Sequence, residues 1–204
     1  MRVNKKKFIY LISPNKIYKK FFKDLQKVLE TGKISFFQLR LKKYSFKNKI
    51  LIGKKIKNIC KKNKVKFLIN DDPILAKRLS ADGCHLGQKD MNIKEARKII
   101  GKKIIGITCH NSITLAKIAI KAKASYLAFG AFYSSKTKKT KYAANIKILN
   151  KIKKITKTPI VAIGGINSKN YKKLLLNNAN FLAISGYIWN NKKYKPLEAL
   201  ERLK

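Results

Sequence analysis

Carboxylates are scarce in this chain. Nine Asp and Glu stand against fifty Lys and Arg over 204 residues, a formal charge of +41. An excess of that size ordinarily points to nucleic acid, but arginine is scarce as well. Base-reading proteins favour Arg, whose planar fork matches guanine and phosphate. Here the cations are nearly all lysines, spread along the whole chain among abundant Ile and Asn. That is the signature of an AT-rich coding sequence, and it reads as a solvated lysine coat with no specific nucleic-acid partner. A polyanion-binding module is the weaker reading of the same charge. Cysteine is scarce too: Cys60, Cys84 and Cys109 form no C-x-x-C pair, which argues against a zinc or disulfide framework. They suit small buried residues in a reducing compartment. No apolar run reaches the roughly 20 residues needed to cross a bilayer. The opening "MRVNKKKFIYLISP" has a basic head, but its apolar stretch is short and no small-residue cleavage site follows. It reads as the first strand of a soluble, cytoplasmic protein.

What the chain does have is alternation. Short β-rich runs take turns with helical stretches: "KFIYLIS" and a helix from 17 to 31, "ISFFQLR" and a helix from 46 to 63, "KFLIN" and a short helix from Pro73. Then come "GCHLG" with a helix over 93–100, "IIGITC" with one over 112–121, and "YLAFG" with one over 146–154. "PIVAIGG" with a helix over 168–176, "FLAIS" and a closing helix from Pro196 complete eight strand–helix units without a linker. Continuous apolar strands each followed by a helix imply a parallel sheet buried on both faces. Eight units predict one domain over 1–204, a closed (β/α)₈ TIM barrel of the α/β class; a doubly wound open sheet is the alternative.

In such a barrel the chemistry sits where strands end. The second run ends in "QLRLK", and period-two spacing puts Gln38, Arg40 and Lys42 on one face and the leucines on the other. The third ends in "INDD" at Asn70 and Asp71, the fourth is followed by "GQKD" ending at Asp90, and the fifth ends at Thr108. Asp71 and Asp90 are hard oxygen ligands of the kind Mg²⁺ uses in ones and twos. Both are also placed to cap the helix that follows, Asp71 ahead of Pro73 and Asp90 ahead of Met91. Arg40 and Lys42 could equally form a barrel-mouth salt bridge with the two aspartates.

Seven pieces, "QLRLK", "INDDPILA", "ADGCHLGQKDM", "GITCHNS", "FGAFYSSKTK", "VAIGGI" and "LAISG", follow in an order and spacing that resemble the thiamine phosphate synthase family over nearly the whole chain. The resemblance implies a (β/α)₈ barrel and a transferase. That enzyme joins 4-amino-2-methyl-5-hydroxymethylpyrimidine diphosphate to 4-methyl-5-(2-phosphooxyethyl)thiazole, giving thiamine phosphate and pyrophosphate with Mg²⁺. It assigns the metal to Asp71 and Asp90, leaving Asp72 as the cap. It gives Arg40, Lys42, Asn70 and Lys138 to the diphosphate, and Gln38 with Thr108 to the pyrimidine. Ser135, Thr137, Gly165, Ile184 and Ser185 fall to the thiazole phosphate, and Arg40, Lys42 and Lys138 carry the catalytic charge.

Three positions depart from the family's pattern. Ser135 stands where threonine is common and Thr108 where serine is common, and both keep the hydroxyl. Ala131 replaces a proline that often stiffens the loop. His85 and His110 flank the mouth and read as packed, hydrogen-bonded residues. His110 lies near the place where the related thiazole tautomerases use a histidine. A tautomerase-like or non-catalytic thiazole phosphate binder is therefore the alternative function, against which the retained diphosphate and metal set counts. The expected partners are small-molecule substrates, with no membrane; a homo-oligomer is possible.

Overall fold

The computed structural model describes residues 8–134 and 142–203. Its strands are β1 (Ile9–Ile12), β2 (Ile34–Leu39), β3 (Lys66–Asn70), β4 (Gly83–Leu86), β5 (Ile104–His110), β6 (Tyr126–Phe129), β7 (Ile160–Ile163) and β8 (Phe181–Ile184). They pair in parallel in chain order, and β8 returns to β1, closing the barrel. An open sheet is thereby excluded. The helices are α1 (Phe21–Glu30), α2 (Phe46–Lys62), α3 (Pro73–Arg78), α4 (Ile93–Ile100), α5 (Ile113–Lys121), α6 (Lys147–Ile155), α7 (Tyr171–Leu176), α8 (Gly186–Trp189) and α9 (Pro196–Glu201).

Strand alternation sorts the core into two bodies. Residues such as Ile9, Leu11, Phe37, Leu39, Ile69 and Leu86 point outward and pack under the helices. The opposite parity, Tyr10, Ile12, Leu68, Tyr126, Ala128, Val161 and Ala183, fills the barrel with Phe36 and Phe181 beside it. The interior is aromatic: Phe36 lies edge-on to Phe181 at 5.0 Å and Tyr10 edge-on to Tyr126 at 5.7 Å between centroids. Gly106 makes room for this, since a Cβ there would sit 1.8 Å from Tyr126 Cζ.

Several helix starts differ from the sequence reading for local reasons. The first helix begins at Phe21, not 17, because the preceding segment is tied into the loop. The Ile17 N–H donates to Tyr44 Oη at 3.0 Å, and the Tyr18 hydroxyl donates to Asp24 at 2.8 Å. Helix α7 begins at Tyr171, not 168, because Asn170 Oδ1 accepts from the Asn167 N–H in a turn. Helix α8 was not foreseen: its four residues are too few to show a helical period, and Trp189 anchors it by donating to the Ile12 carbonyl at 2.7 Å.

The fit around Gly106 can be tested by overpacking. Gly106→Ala is expected to cost about 1–3 kcal/mol, read as a lower urea midpoint. Combined with Tyr126→Leu, its effect should fall short of the sum of the two single changes. A silent Gly106→Ala contradicts the packing described.

Candidate active site

Parallel closure brings the carboxyl ends of all eight strands to one rim, and two of the chain's nine acids, Asp71 and Asp90, meet there. Asp71 follows β3 with φ of 63°, a left-handed conformation that aspartate tolerates better than most residues. It is held by its N–H donating to the His85 carbonyl at 2.7 Å, one step past the β3–β4 ladder. Asp90 Oδ2 accepts from the Gly87 N–H at 2.7 Å. Neither residue caps a helix: Asp72 caps α3, accepting from Leu75 N–H at 2.8 Å, and Asn92 caps α4. The capping alternative for Asp71 and Asp90 is thus displaced by their immediate neighbours.

The two carboxyls share a hydrogen bond. Burial raises the Asp90 carboxyl above its usual value, the contact with Asp71 raises it further, and the Gly87 N–H only partly opposes this. Burial pushes Asp71 the same way, but the bonds from Lys42 and from Asp90 outweigh it and hold Asp71 low. As pH falls the shared proton therefore goes first to Asp90. Lys42 Nζ lies 2.9 Å from Asp71 Oδ2, so the barrel-mouth salt bridge exists for Lys42. Arg40 instead donates to Asn15 Oδ1 at 2.9 Å. Lys42, Asn70, Asp71 and Asp90 line a cavity of about 480 Å³ with Lys49, Met91 and the start of α3.

Inside the rim a polar chain crosses the barrel. Gln38, only 2% exposed, donates through Nε2 to Tyr10 Oη at 2.8 Å. Tyr10 Oη lies 2.8 Å from Tyr126 Oη, which lies 2.9 Å from His85 Nδ1. His85 Nε2 then meets Thr108 Oγ1 at 2.9 Å. Gln38 and Thr108 are thus tied together from within, although the cavity beside Asp71 includes neither.

On the far side of the rim, Ser13 joins two strand ends. Its hydroxyl oxygen accepts the Arg40 N–H at 2.9 Å, and its carbonyl accepts the Ser185 hydroxyl at 3.0 Å. The Ile184 side chain is buried under the helices, so only its backbone can face the rim. Gly165 has φ of 61°, and a Cβ there would meet Ser134 O at 2.3 Å. The glycine lets residues 132–134 lie on the end of β7, where Phe132 and Tyr133 N–H donate to Ile163 and Gly164 carbonyls at 3.1 and 3.2 Å. Ser135, Thr137 and Lys138 lie outside the described residues. Residues 131, 142 and 144 pair on either side of that stretch, at 3.1 Å between Ala131 N and Tyr142 O and 2.8 Å between Ala144 N and Ala131 O. The His110 ring stacks on Tyr142 at 4.0 Å between centroids.

This rim has relatives. Residues 9–188 match the family model described as thiamine monophosphate synthase. The chain belongs to that family. A thiamine-phosphate synthase of Pelagibacter ubique is 70% identical, with all of both chains covered. One from Erythrobacter litoralis is 39% identical over 94% of this chain and 92% of its own. Among solved structures, thiamine phosphate pyrophosphorylase from Pyrococcus furiosus superposes with a TM-score of 0.86 at 28% identity, covering 98% of this chain and 94% of that one.

Sequence reasoning missed Ser13, Asn15 and Tyr10, which hydrogen-bond Arg40 and Gln38, and Tyr126, which links Tyr10 to His85. Ser13 and Asn15 follow β1 and give no signal of their own. The two tyrosines read as ordinary strand aromatics, and only Gly106 on the neighbouring strand hints that one of them needs space.

The shared carboxyl proton carries a sign. A group whose folded value is raised stabilises the fold at low pH and loses that contribution as pH rises through the folded value. At neutral pH, Asp90→Asn is therefore expected to raise the melting temperature of the unliganded protein. The rise should be about 2 °C, the scale of a solvent-screened effect below about 1 kcal/mol. The gain should fade below about pH 4, where carboxyls are protonated folded or unfolded. A lower melting temperature at neutral pH contradicts the assignment.

Proposed function

We propose that this chain acts as a thiamine-phosphate synthase, condensing the aminopyrimidine diphosphate with the thiazole phosphate and releasing pyrophosphate. The observation that carries the reading is the meeting of Asp71, Asp90 and Lys42 at one corner of the rim, in a chain 70% identical to a relative named for this activity. A leaving pyrophosphate carries about three negative charges, and a site that removes it must supply cations aimed at its oxygens.

The donor set suits Mg²⁺. Among the described residues no group of three or more His, Cys, Asp or Glu could hold a metal, so the protein offers two hard carboxylates and leaves the remaining positions to diphosphate and water. That is the usual way this ion binds beside a phosphate substrate. Bound there, Mg²⁺ would neutralise charge on the departing group. The protein's own residues complete the task. Asp71 and Asp90 would hold the metal, and Arg40, held by Asn15, and Lys42, now paired with Asp71, would face the diphosphate together with Asn70 and Lys138. Gln38 and Thr108 orient the pyrimidine. Ser135, Thr137, Gly165, Ser185 and the backbone of Ile184 receive the thiazole phosphate. Loss of pyrophosphate leaves a methylene cation that the electron-rich aminopyrimidine stabilises, and the thiazole nitrogen attacks it. No protein nucleophile is required. His110, stacked on Tyr142, gives the tautomerase alternative no support.

The reading places the reaction in the cytoplasm. Burial pushes the thiols of Cys84 and Cys109 up to about 12, which keeps them neutral and inert. No helix among the described residues is long and apolar enough to cross a membrane.

Purified protein with both substrates should form thiamine phosphate only with Mg²⁺, and EDTA should abolish turnover. Asp71→Asn should lower kcat by at least about 100-fold. Full activity in excess EDTA would sink the metal assignment. The stretch "SSKTKK" tests charge against background. Lys138→Ala is expected to lower kcat by about 30- to 1000-fold, as for a contact that strengthens on the leaving group. Lys136→Ala and Lys139→Ala should stay within a few-fold, because solvated charges are screened within about 10 Å. Equal, small losses for all three would reduce the cluster to part of the lysine coat.

A further inference from the structure

The polar chain through the barrel has a direction. Gln38 offers Tyr10 a donor, so the Tyr10 hydroxyl proton cannot go back to Gln38. Tyr10 and Tyr126 are 1% and 3% exposed, and burial raises both phenols above their usual values, so each keeps a proton that needs a buried acceptor. For Tyr10 that acceptor is Tyr126 Oη, and for Tyr126 it is His85 Nδ1. His85 then carries its proton on Nε2 and donates to Thr108 Oγ1. Five groups share one order, and its two ends are strand-end residues: the Gln38 amide oxygen is left as an acceptor and the Thr108 hydroxyl as a donor. Among the described residues no donor reaches that amide oxygen.

We infer that Tyr10, Tyr126 and His85 are positioning residues that lock Gln38 as an acceptor and Thr108 as a donor, so that the barrel interior selects an aminopyrimidine over an oxopyrimidine. The inference rests on the proposed synthase reading. An exocyclic amine offers N–H to Gln38, and a pyrimidine ring nitrogen accepts from Thr108. An oxo group in place of the amine, with its ring N–H, presents the opposite pattern. To receive it the Gln38 amide must turn over, which sets two acceptors against each other with no proton between them unless Tyr10, Tyr126, His85 and Thr108 all reverse as well. A site built to hydrogen-bond one functional group rejects the analogue that lacks it.

Two measurements test this, and they fail separately. In uniformly ¹⁵N-labelled protein, long-range ¹H–¹⁵N spectra report the tautomer of each of the two histidines, with His85→Asn identifying the His85 signals. His85 is expected as the Nε2–H tautomer, and Tyr126→Phe should shift it toward a mixture. This readout needs no turnover, so it stands even if the synthase reading falls. An Nδ1–H tautomer in the parent protein overturns the proposed order. In the assay, Tyr10→Phe is expected to raise KM for the pyrimidine diphosphate about tenfold, the worth of one hydrogen bond. It should also lower discrimination against the 4-oxo analogue about tenfold, while KM for the thiazole phosphate stays put. If Tyr10→Phe folds poorly, Tyr126→Phe serves the same comparison. Discrimination unchanged in a folded variant, or both KM values rising together, reduces the chain to a structural core network.

Discussion

The contact between Asp71 and Asp90 is the constraint on which the rest of the rim depends. Two carboxyls do not sit this close unaided, and this chain holds them there by backbone geometry. Asp71 takes a left-handed conformation fixed by a ladder bond to the His85 carbonyl. Asp90 is pinned by the Gly87 N–H, and a Cβ on Gly87 would come within 2.9 Å of Asp90 Oδ2. The left-handed conformation of Asp71 costs on the order of 1–3 kcal/mol and persists only where the surroundings enforce it. What this geometry gives is a pair of carboxyls with Lys42 as the charge beside them, which on the proposed reading is the place a cation would take.

The lysine excess looks different against this corner. Among the described residues only Lys42–Asp71 and Lys66–Asp82 form ion pairs between side chains, so most of the cationic coat faces water. Screened charges of that sort draw anions toward the molecule in general. On the proposed reading, selection of a particular diphosphate falls to the few cations held in place, Arg40 by Asn15 and Lys42 by Asp71. The glycine-backed end of β7 and the Ser13 bridge from Arg40 to Ser185 tie down the other side of the rim.

Much of this was legible in the sequence because it depends on short-range pattern. Continuous apolar strands gave the parallel sheet, and period-two spacing in "QLRLK" separated Gln38 from the outward-facing Leu39 and Leu41. Asp72 was legible as the α3 cap once Asp71 was set aside for the metal. The polar chain was not legible, because it joins β1, β2, β4, β5 and β6 across the barrel and no single strand records that meeting. Nor was the start of α1, where Tyr44 from another loop captures the Ile17 N–H. Asn15 and Ser13 were missed for a similar reason: a polar residue after a strand acquires its role only from what the barrel brings against it.

The central claim, that Asp71 and Asp90 form one cation site completed by diphosphate, is tested most directly without turnover. Mn²⁺ binding is followed by electron paramagnetic resonance in the presence of inorganic pyrophosphate. The account predicts one pyrophosphate-dependent Mn²⁺ in the parent protein and in Asp72→Asn, and its loss in both Asp71→Asn and Asp90→Asn. Undiminished binding in the last two variants, or binding indifferent to pyrophosphate, would contradict it.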